Sequence, residues 1–177
     1  MDFEKTYQKA EDPWNVGDAS GNDYDQCINW VQPLAPKSIV DLGCGKGALT
    51  RRLRTLCDNV LGIDVSPTAI SKAQFQSTDI KYRVVDLRYI QDLEPCDVFV
   101  CKDVIYYLSN DERLYLLQEI QKKMNVAAYF SIPVNFLHPM DMHGVELFNM
   151  LDKYFWVYNY INNGCHAFYL CKHKEKE

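Results

Sequence analysis

The segment Val40-Asp41-Leu42-Gly43-Cys44-Gly45-Lys46-Gly47 constrains this chain more than any other part of it. Ser38 to Leu42 is a short apolar run of strand character. Leu49, Leu53 and Leu56 then fall on one face of a helix that begins near the last glycine. The chain therefore leaves a strand, turns through glycines and enters a helix at once. Glycine has no Cβ, so its backbone can approach a ligand closely. The helix start adds partial positive charge. A strand, glycine turn and helix of this kind belong to an open α/β sheet, which binds ligands at the carboxyl edge of its strands.

The rest of the chain repeats the alternation. Asn59 to Ile63, Ile80 to Val85, Asp97 to Cys101 and Ala127 to Ile132 read as strands. Ser66 caps a helix that opens with Pro67. Asp111 to Met124 reads as a helix with Leu114, Leu117, Ile120 and Met124 on its buried face. Val145 to Phe155 is a further helix. Trp156 to Ile161 and Cys165 to Lys172 are strands joined by Asn162-Asn163-Gly164, a hairpin turn. Strands alternating with helices imply a doubly wound, mostly parallel sheet, and the hairpin adds an antiparallel last strand. Tyr24, Cys27, Ile28 and Val31 recur at helical spacing ahead of Pro33 and Pro36. A Gly- and Asp-rich loop precedes them, after Glu11-Asp12-Pro13-Trp14. The expectation is one domain over 1–177, with 1–35 as a helical cap over the ligand and 36–177 as a Rossmann-like core.

Composition narrows the class. Hydrophobic residues make up 47% of the 177 residues, enough to fill a core. The formal net charge is −5, which disfavours nucleic acid and other polyanions as partners. The seven cysteines form no Cys-x-x-Cys pair, and several sit in apolar runs. That pattern suits reduced thiols in the cytoplasm. The four histidines do not combine with cysteine at zinc spacing, so no metal is expected. No apolar run approaches the roughly 18 residues of a membrane span, and the first ten residues do not read as a signal peptide. The charged end from Lys172 to Glu177 reads as a solvated, frayed terminus.

Three acidic residues end or occupy successive strands. Asp64, in Gly62-Ile63-Asp64-Val65-Ser66, can take both hydroxyls of a ribose. Asp86, in Val84-Val85-Asp86-Leu87, can accept from an adenine amine. Asp41 suits an ammonium group, or caps the glycine turn. A dinucleotide site is the rival reading, because Gly43 to Ala48 also fits the looser dinucleotide pattern. Against it stand Asp41, a carboxylate beside what would be a pyrophosphate, and the absence of any Tyr-x-x-x-Lys pair.

Four blocks, VDLGCGKG (40–47), GIDVS (62–66), VVDL (84–87) and CKDVIYYL (101–108), make the chain resemble the class I S-adenosylmethionine-dependent methyltransferases. Tyr7 with Asp12-Pro13-Trp14, and Val104-Ile105-Tyr106-Tyr107-Leu108, make it similar to the nodulation-protein-S-like small methyltransferases. The resemblance implies seven strands in order 3-2-1-4-5-7-6 with the seventh antiparallel. It implies backbone contacts from Gly43, Cys44 and Gly45 to the methionine portion of the cofactor. Asp64 would hold the ribose and Asp86 the adenine amine, with Val65 and Leu87 on either side of the ring. Lys102 and Asp103 would border the sulfonium. Lys102 replaces a small polar residue usual there.

Trp14 either lies over the methionine tail or anchors the N-terminal helix; the resemblance favours the cofactor. Tyr106 and Tyr107 line the acceptor pocket or belong to the core. His138 and His143 follow the fifth strand, where acceptor groups are often placed. Asp103 is the best acid to consider as a base, although an ordinary aspartate with pKa ~3.9 is weak for that work. The expected activity is methyl transfer to nitrogen or oxygen of a small molecule or sugar. A non-catalytic S-adenosylmethionine-binding partner subunit is the alternative, and an NAD-dependent dehydrogenase a more distant one. The Asp/Asn-Pro-Pro-Tyr/Phe motif of base methyltransferases is missing after strand four.

Overall fold

In the computed structural model, which describes residues 1–10, 13–14, 22–134 and 144–174, β1 (Ile39–Leu42) lies between β2 (Val60–Asp64) and β4 (Cys96–Lys102). It is parallel to both, and Ile39 pairs with Val60 on one side and Val98 on the other. β3 (Lys81–Val84) adds beside β2, and β5 (Met124–Pro133) beside β4, both parallel. β7 (His166–His173) runs antiparallel next to β5, and β6 (Phe155–Asn162) antiparallel next to β7. The order is β3-β2-β1-β4-β5-β7-β6, as the resemblance implies.

The inner strands are apolar because both faces are covered, whereas the edge strands β3 and β6 leave most of their residues exposed. On β4, Phe99 and Cys101 point into one core, and Val98 and Val100 into the other. The first core takes Leu116, Leu117 and Ile120 of α5 (Asn110–Lys123) and Leu147 and Leu151 of α6 (Gly144–Tyr154). The second takes Leu49 and Leu53 of α3 (Ala48–Leu53), and Cys27 and Val31 of α2 (Asn22–Val31). Among the described residues of that stretch, α2 is a layer of the sheet's core, and α1 (Phe3–Lys9) and Trp14 lie apart from it. α1 rests on α4 (Pro67–Gln76), whose own core side packs on Ile80 and Tyr82.

α5 begins at a reciprocal cap. Ser109 Oγ accepts from the Glu112 N–H at 3.4 Å, and Glu112 Oε2 accepts from the Ser109 N–H at 2.7 Å. Its buried face differs from the sequence expectation. Leu116 is fully buried and Leu114 only partly, while Met124 is already the first residue of β5. Strand also reaches further into the charged end than the frayed terminus expected from Lys172 onward. Lys172 belongs to β7, with its ammonium 3.8 Å over the Tyr158 ring. Residues 175–177 lie outside the described set.

Register decides what reaches the carboxyl edge. Parallel strands bring their last residues there, so Leu42, Asp64 and Lys102 end on it. β7 runs the other way and brings its first residue instead. His166 pairs with Pro133, the last residue of β5. All seven cysteines are free thiols. Among the described residues no helix is long and apolar enough to cross a membrane.

Candidate active site

The glycine turn is tied to β2. The N–H groups of Gly43 and Cys44 both donate to Ile63 O at 2.8 Å. Gly43 has φ +73°, and a Cβ there would stand 2.5 Å from Val104 Cγ2. The loop after β4 thus closes directly on the turn after β1. Asp64 is 8% exposed and holds the turn from the other side. Its Oδ2 accepts from the Gly45 N–H at 3.0 Å, and its Oδ1 from the Ser66 N–H at 2.9 Å. Burial pushes its carboxyl above the usual range, against the pull of those backbone donors. The carboxylate is fixed in orientation before any ligand arrives, as a ribose diol would require.

Asp41 is fully enclosed and accepts from Thr50 Oγ1 at 2.6 Å. Burial raises its carboxyl to about 7; the Thr50 bond opposes this and the Asp64 charge adds to it. A buried carboxylate this reluctant to ionise gains from a nearby cation. Cys44 is likewise pushed well up, first by burial. These residues fit the S-adenosylmethionine frame: a backbone cradle that side chains would fill, a diol acceptor at the end of β2 and an acid beneath the turn.

The adenine end is more occupied. Asp86 Oδ1 accepts from the Arg88 N–H at 3.0 Å, and Arg88 Nε lies 2.9 Å from each carboxylate oxygen. This pairing holds the Asp86 carboxyl below its ordinary value. Val65 is exposed, whereas Leu87 is buried in the first core. The Leu87 side chain therefore belongs to the core rather than to an open ring slot. Arg88 is a neighbour that the sequence reading missed.

An aromatic roof covers the turn. The Tyr7 hydroxyl stands 2.6 Å from where a Gly45 Cβ would lie. Trp14 packs on Tyr7 at 4.9 Å between ring centroids, and its indole N–H donates to Tyr107 Oη at 3.2 Å. Phe3 meets the Tyr107 ring edge-on at 5.1 Å, and Tyr106 lies 4.3 Å from Tyr107. Trp14, Tyr106 and Tyr107 are thus one cluster at the edge of the turn. Lys72 ties α1 down by donating to Tyr7 O at 3.1 Å and Ala10 O at 3.3 Å.

The residue after β4 is strained. Asp103 has φ +55°, a left-handed backbone that costs a non-glycine residue roughly 1–2 kcal/mol. Two bonds to Ser131 of β5 hold it there: Asp103 N–H to Ser131 O at 3.0 Å, and Ser131 Oγ to Asp103 Oδ1 at 2.9 Å. Its Oδ2 faces the Lys102 ammonium, and His166 Nε2 at 3.5 Å. The Lys102 ammonium also lies 4.9 Å from the Tyr24 ring centroid. Burial pushes the Asp103 carboxyl up, but the His166 hydrogen bond and the Lys102 and His166 charges outweigh it and hold it at about 2. A carboxylate that acidic is a poor proton acceptor near neutrality. Its partners suit Asp103 to anchoring charge. His166 Nδ1 stands 3.2 Å from Asp23 Oδ2 of α2. Sequence reading singled out neither His166 nor Asp23; only the antiparallel register of β7 could have pointed to the histidine. His138, His143, Glu11 and Asp12 lie outside the described residues. Among the described residues no three His, Cys, Asp or Glu side chains are grouped as a metal site.

Strand order, glycine turn and the acid ending β2 together define the fold of a class I S-adenosylmethionine-dependent methyltransferase. The chain belongs to the Nodulation protein S (NodS) family, whose sequence profile matches residues 2–126. It is 29% identical over 113 residues to Nodulation protein S of Azorhizobium caulinodans, covering 59% of this chain and 53% of that protein. It is 30% identical over 93 residues to the ubiquinone biosynthesis O-methyltransferase of Cupriavidus pinatubonensis, covering 49% and 37%. The matches span about half or less of the length of these curated relatives. The N-methyltransferase NodS of Bradyrhizobium japonicum WM9, solved with S-adenosyl-L-homocysteine, superposes with a TM-score of 0.78 at 16% identity. That match covers 99% of this chain and 100% of the solved one, and it shows a shared fold.

Proposed function

We propose that this chain binds S-adenosylmethionine and transfers its methyl group to a nitrogen of a small molecule or sugar. The Asp64 carboxylate, locked by Gly45 and Ser66 under an aromatic roof, carries the cofactor half of this reading. In it, Asp64 takes the ribose and the backbone of Gly43, Cys44 and Gly45 lines the methionine portion. Asp41 lies beneath the ammonium end, and Trp14 covers it. Asp86 receives the adenine amine only by sharing its carboxylate with Arg88, and Val65 lies on the ring's outer side. When bound, S-adenosylmethionine supplies a methyl group already activated by positive sulfur. The protein's task is then mainly alignment and exclusion of water, and alignment alone is worth roughly 7–11 kcal/mol of a barrier. Tyr106, Tyr107, Lys102 and Asp103 border the acceptor side. The whole chain acts as one domain, with α1 and Trp14 as its cap. The free thiols support a reducing, cytoplasmic setting. The net charge supports a small acceptor over nucleic acid.

Nitrogen is favoured over oxygen by the solved relative described as an N-methyltransferase. The test is methyl transfer from radiolabelled S-adenosylmethionine to a panel of primary amines, D-glucosamine among them, against matched alcohols with D-glucose among them. Label on an amine product is expected. Label only on alcohols would overturn the nitrogen assignment. Cofactor binding without label on any acceptor would favour a non-catalytic partner subunit.

A further inference from the structure

His166 occupies an unusual position for an imidazole. Its Nδ1 faces Asp23 Oδ2 at 3.2 Å and its Nε2 faces Asp103 Oδ2 at 3.5 Å. A neutral imidazole carries one N–H. Whichever nitrogen lacks the proton therefore turns a lone pair on a carboxylate. A proton delivered to the ring would lie between it and a carboxylate, so the two carboxylates are placed to hold an imidazolium formed there. His166 Nδ1 is buried and makes no hydrogen bond among the described residues, so its tie to Asp23 is one of charge, and Nε2 is the nitrogen left for a ligand. Side-chain exposures of 20% for His166 and 24% for Asp103 keep that side accessible. The charged and titratable neighbours are Asp23 and Tyr24 of α2, Lys102 and Asp103 at the end of β4, and Tyr129 of β5.

The group also sits where chemistry would occur. Val104, next to Asp103, packs on Gly43 of the cofactor turn. His166 enters the same carboxyl edge through the β5–β7 register. A solvated loop histidine would have neither the paired carboxylates nor this placement.

We propose that His166 is the proton acceptor for the methylated nitrogen, and that Asp23 is a positioning residue that orients the imidazole and holds its charge. The proposal rests on the methyltransferase reading above. As the acceptor nitrogen gains its methyl group it becomes positively charged. Its N–H bond then breaks, the electron pair stays on nitrogen, and the proton passes to His166. The imidazolium is held between the Asp23 and Asp103 carboxylates, while Lys102 balances Asp103. Asp103 itself remains ionised throughout.

The test uses the full chain labelled with 15N-histidine and saturated with S-adenosylhomocysteine, the His166 signal being assigned by His166→Gln. D-glucosamine and other primary amines should shift the imidazole 15N resonances of His166, and D-glucose should not. His166→Gln should lower kcat for amine methylation at least a hundredfold, with S-adenosylhomocysteine affinity within threefold of the parent. Asp23→Asn should lower kcat about tenfold, again without loss of S-adenosylhomocysteine affinity. An unmoved His166 signal across the amine panel, or a His166→Gln variant of undiminished kcat, overturns the proposal. Failure of S-adenosylhomocysteine to bind the parent overturns the underlying reading instead. The resonance measurement is made on the parent chain, so it stands even where a variant fails to fold.

Discussion

Glu4 and Thr68 stand 64 residues apart in sequence, yet the Glu4 carboxylate receives both the Thr68 N–H, at 3.1 Å, and the Thr68 hydroxyl, at 2.5 Å. Ser66 Oγ adds a third bond at 2.5 Å while itself capping α4 through the Ala69 N–H. Glu4 is thus an acidic cap supplied from another helix to the positive end of α4. It fastens α1 beside Asp64, which ends β2 just ahead of Ser66.

The Ser66 bond, followed by those of Thr68, holds the Glu4 carboxyl down at about 2. A depressed acid contributes stability above its unfolded pKa, near ~4.3, and loses it as pH falls through the folded value. The α1 dock should therefore persist through pH 4 and release only toward pH 2. Trp14 emission, recorded in the parent and in Glu4→Gln, reads this out. Glu4→Gln should show the released signal already at neutral pH and bind S-adenosylhomocysteine several-fold more weakly, with little change in melting temperature. An acid transition centred near pH 4 would contradict the dock.

Asp41 predicts the opposite sign. Burial raises its carboxyl to about 7, so the folded chain keeps this proton where the unfolded chain has lost it. Its contribution to stability is fully present below the unfolded pKa, ~3.9, and is lost as pH rises through about 7. Asp41→Asn should raise the melting temperature at pH 8 more than at pH 5. The same variant should bind S-adenosylmethionine less well, because the ammonium loses its carboxylate. A larger gain at pH 5 would remove the burial argument.

The contact between Tyr7 and Gly45 is separable by a double-mutant cycle. Gly45→Ala places a Cβ 2.6 Å from the Tyr7 hydroxyl and strains a residue at φ +54°. Tyr7→Phe removes the hydroxyl, leaving Tyr7 Cζ at a tolerable 3.7 Å. In that background Gly45→Ala should cost only the backbone strain, roughly 1–2 kcal/mol. In the Tyr7 parent it should cost more. Equal costs by denaturant titration would mean that Tyr7 does not lie on the turn.

The sheet was legible because its inner strands are short apolar runs separated by caps and glycines. Ser66-Pro67 and Asn162-Asn163-Gly164 mark their boundaries in one dimension. The glycine turn and Asp64 were legible for the same reason, since both sit next to a strand end. What escaped depends on packing across the sheet. α2 shows ordinary helical periodicity, and nothing in it says that Cys27 and Val31 face the sheet rather than a ligand. Leu114 and Leu116 are equally apolar, and the angle of α5 on the first core decides between them. His166 is a residue just after a turn until β7 is placed antiparallel beside β5. Asp23 matters only because α2 lies over that strand end. Arg88 claims Asp86 from two residues away, a local pair that motif reading passed over.

A nucleoside site for S-adenosylmethionine built on Asp64 and the Gly43–Gly45 turn is open to calorimetric titration of the chain with S-adenosylhomocysteine, in parallel with NAD and repeated on Asp64→Asn. Micromolar S-adenosylhomocysteine binding, no NAD binding, and at least a tenfold loss, about 1.4 kcal/mol, in Asp64→Asn are expected. Binding of NAD alone, or affinity for S-adenosylhomocysteine unchanged by Asp64→Asn, would contradict it.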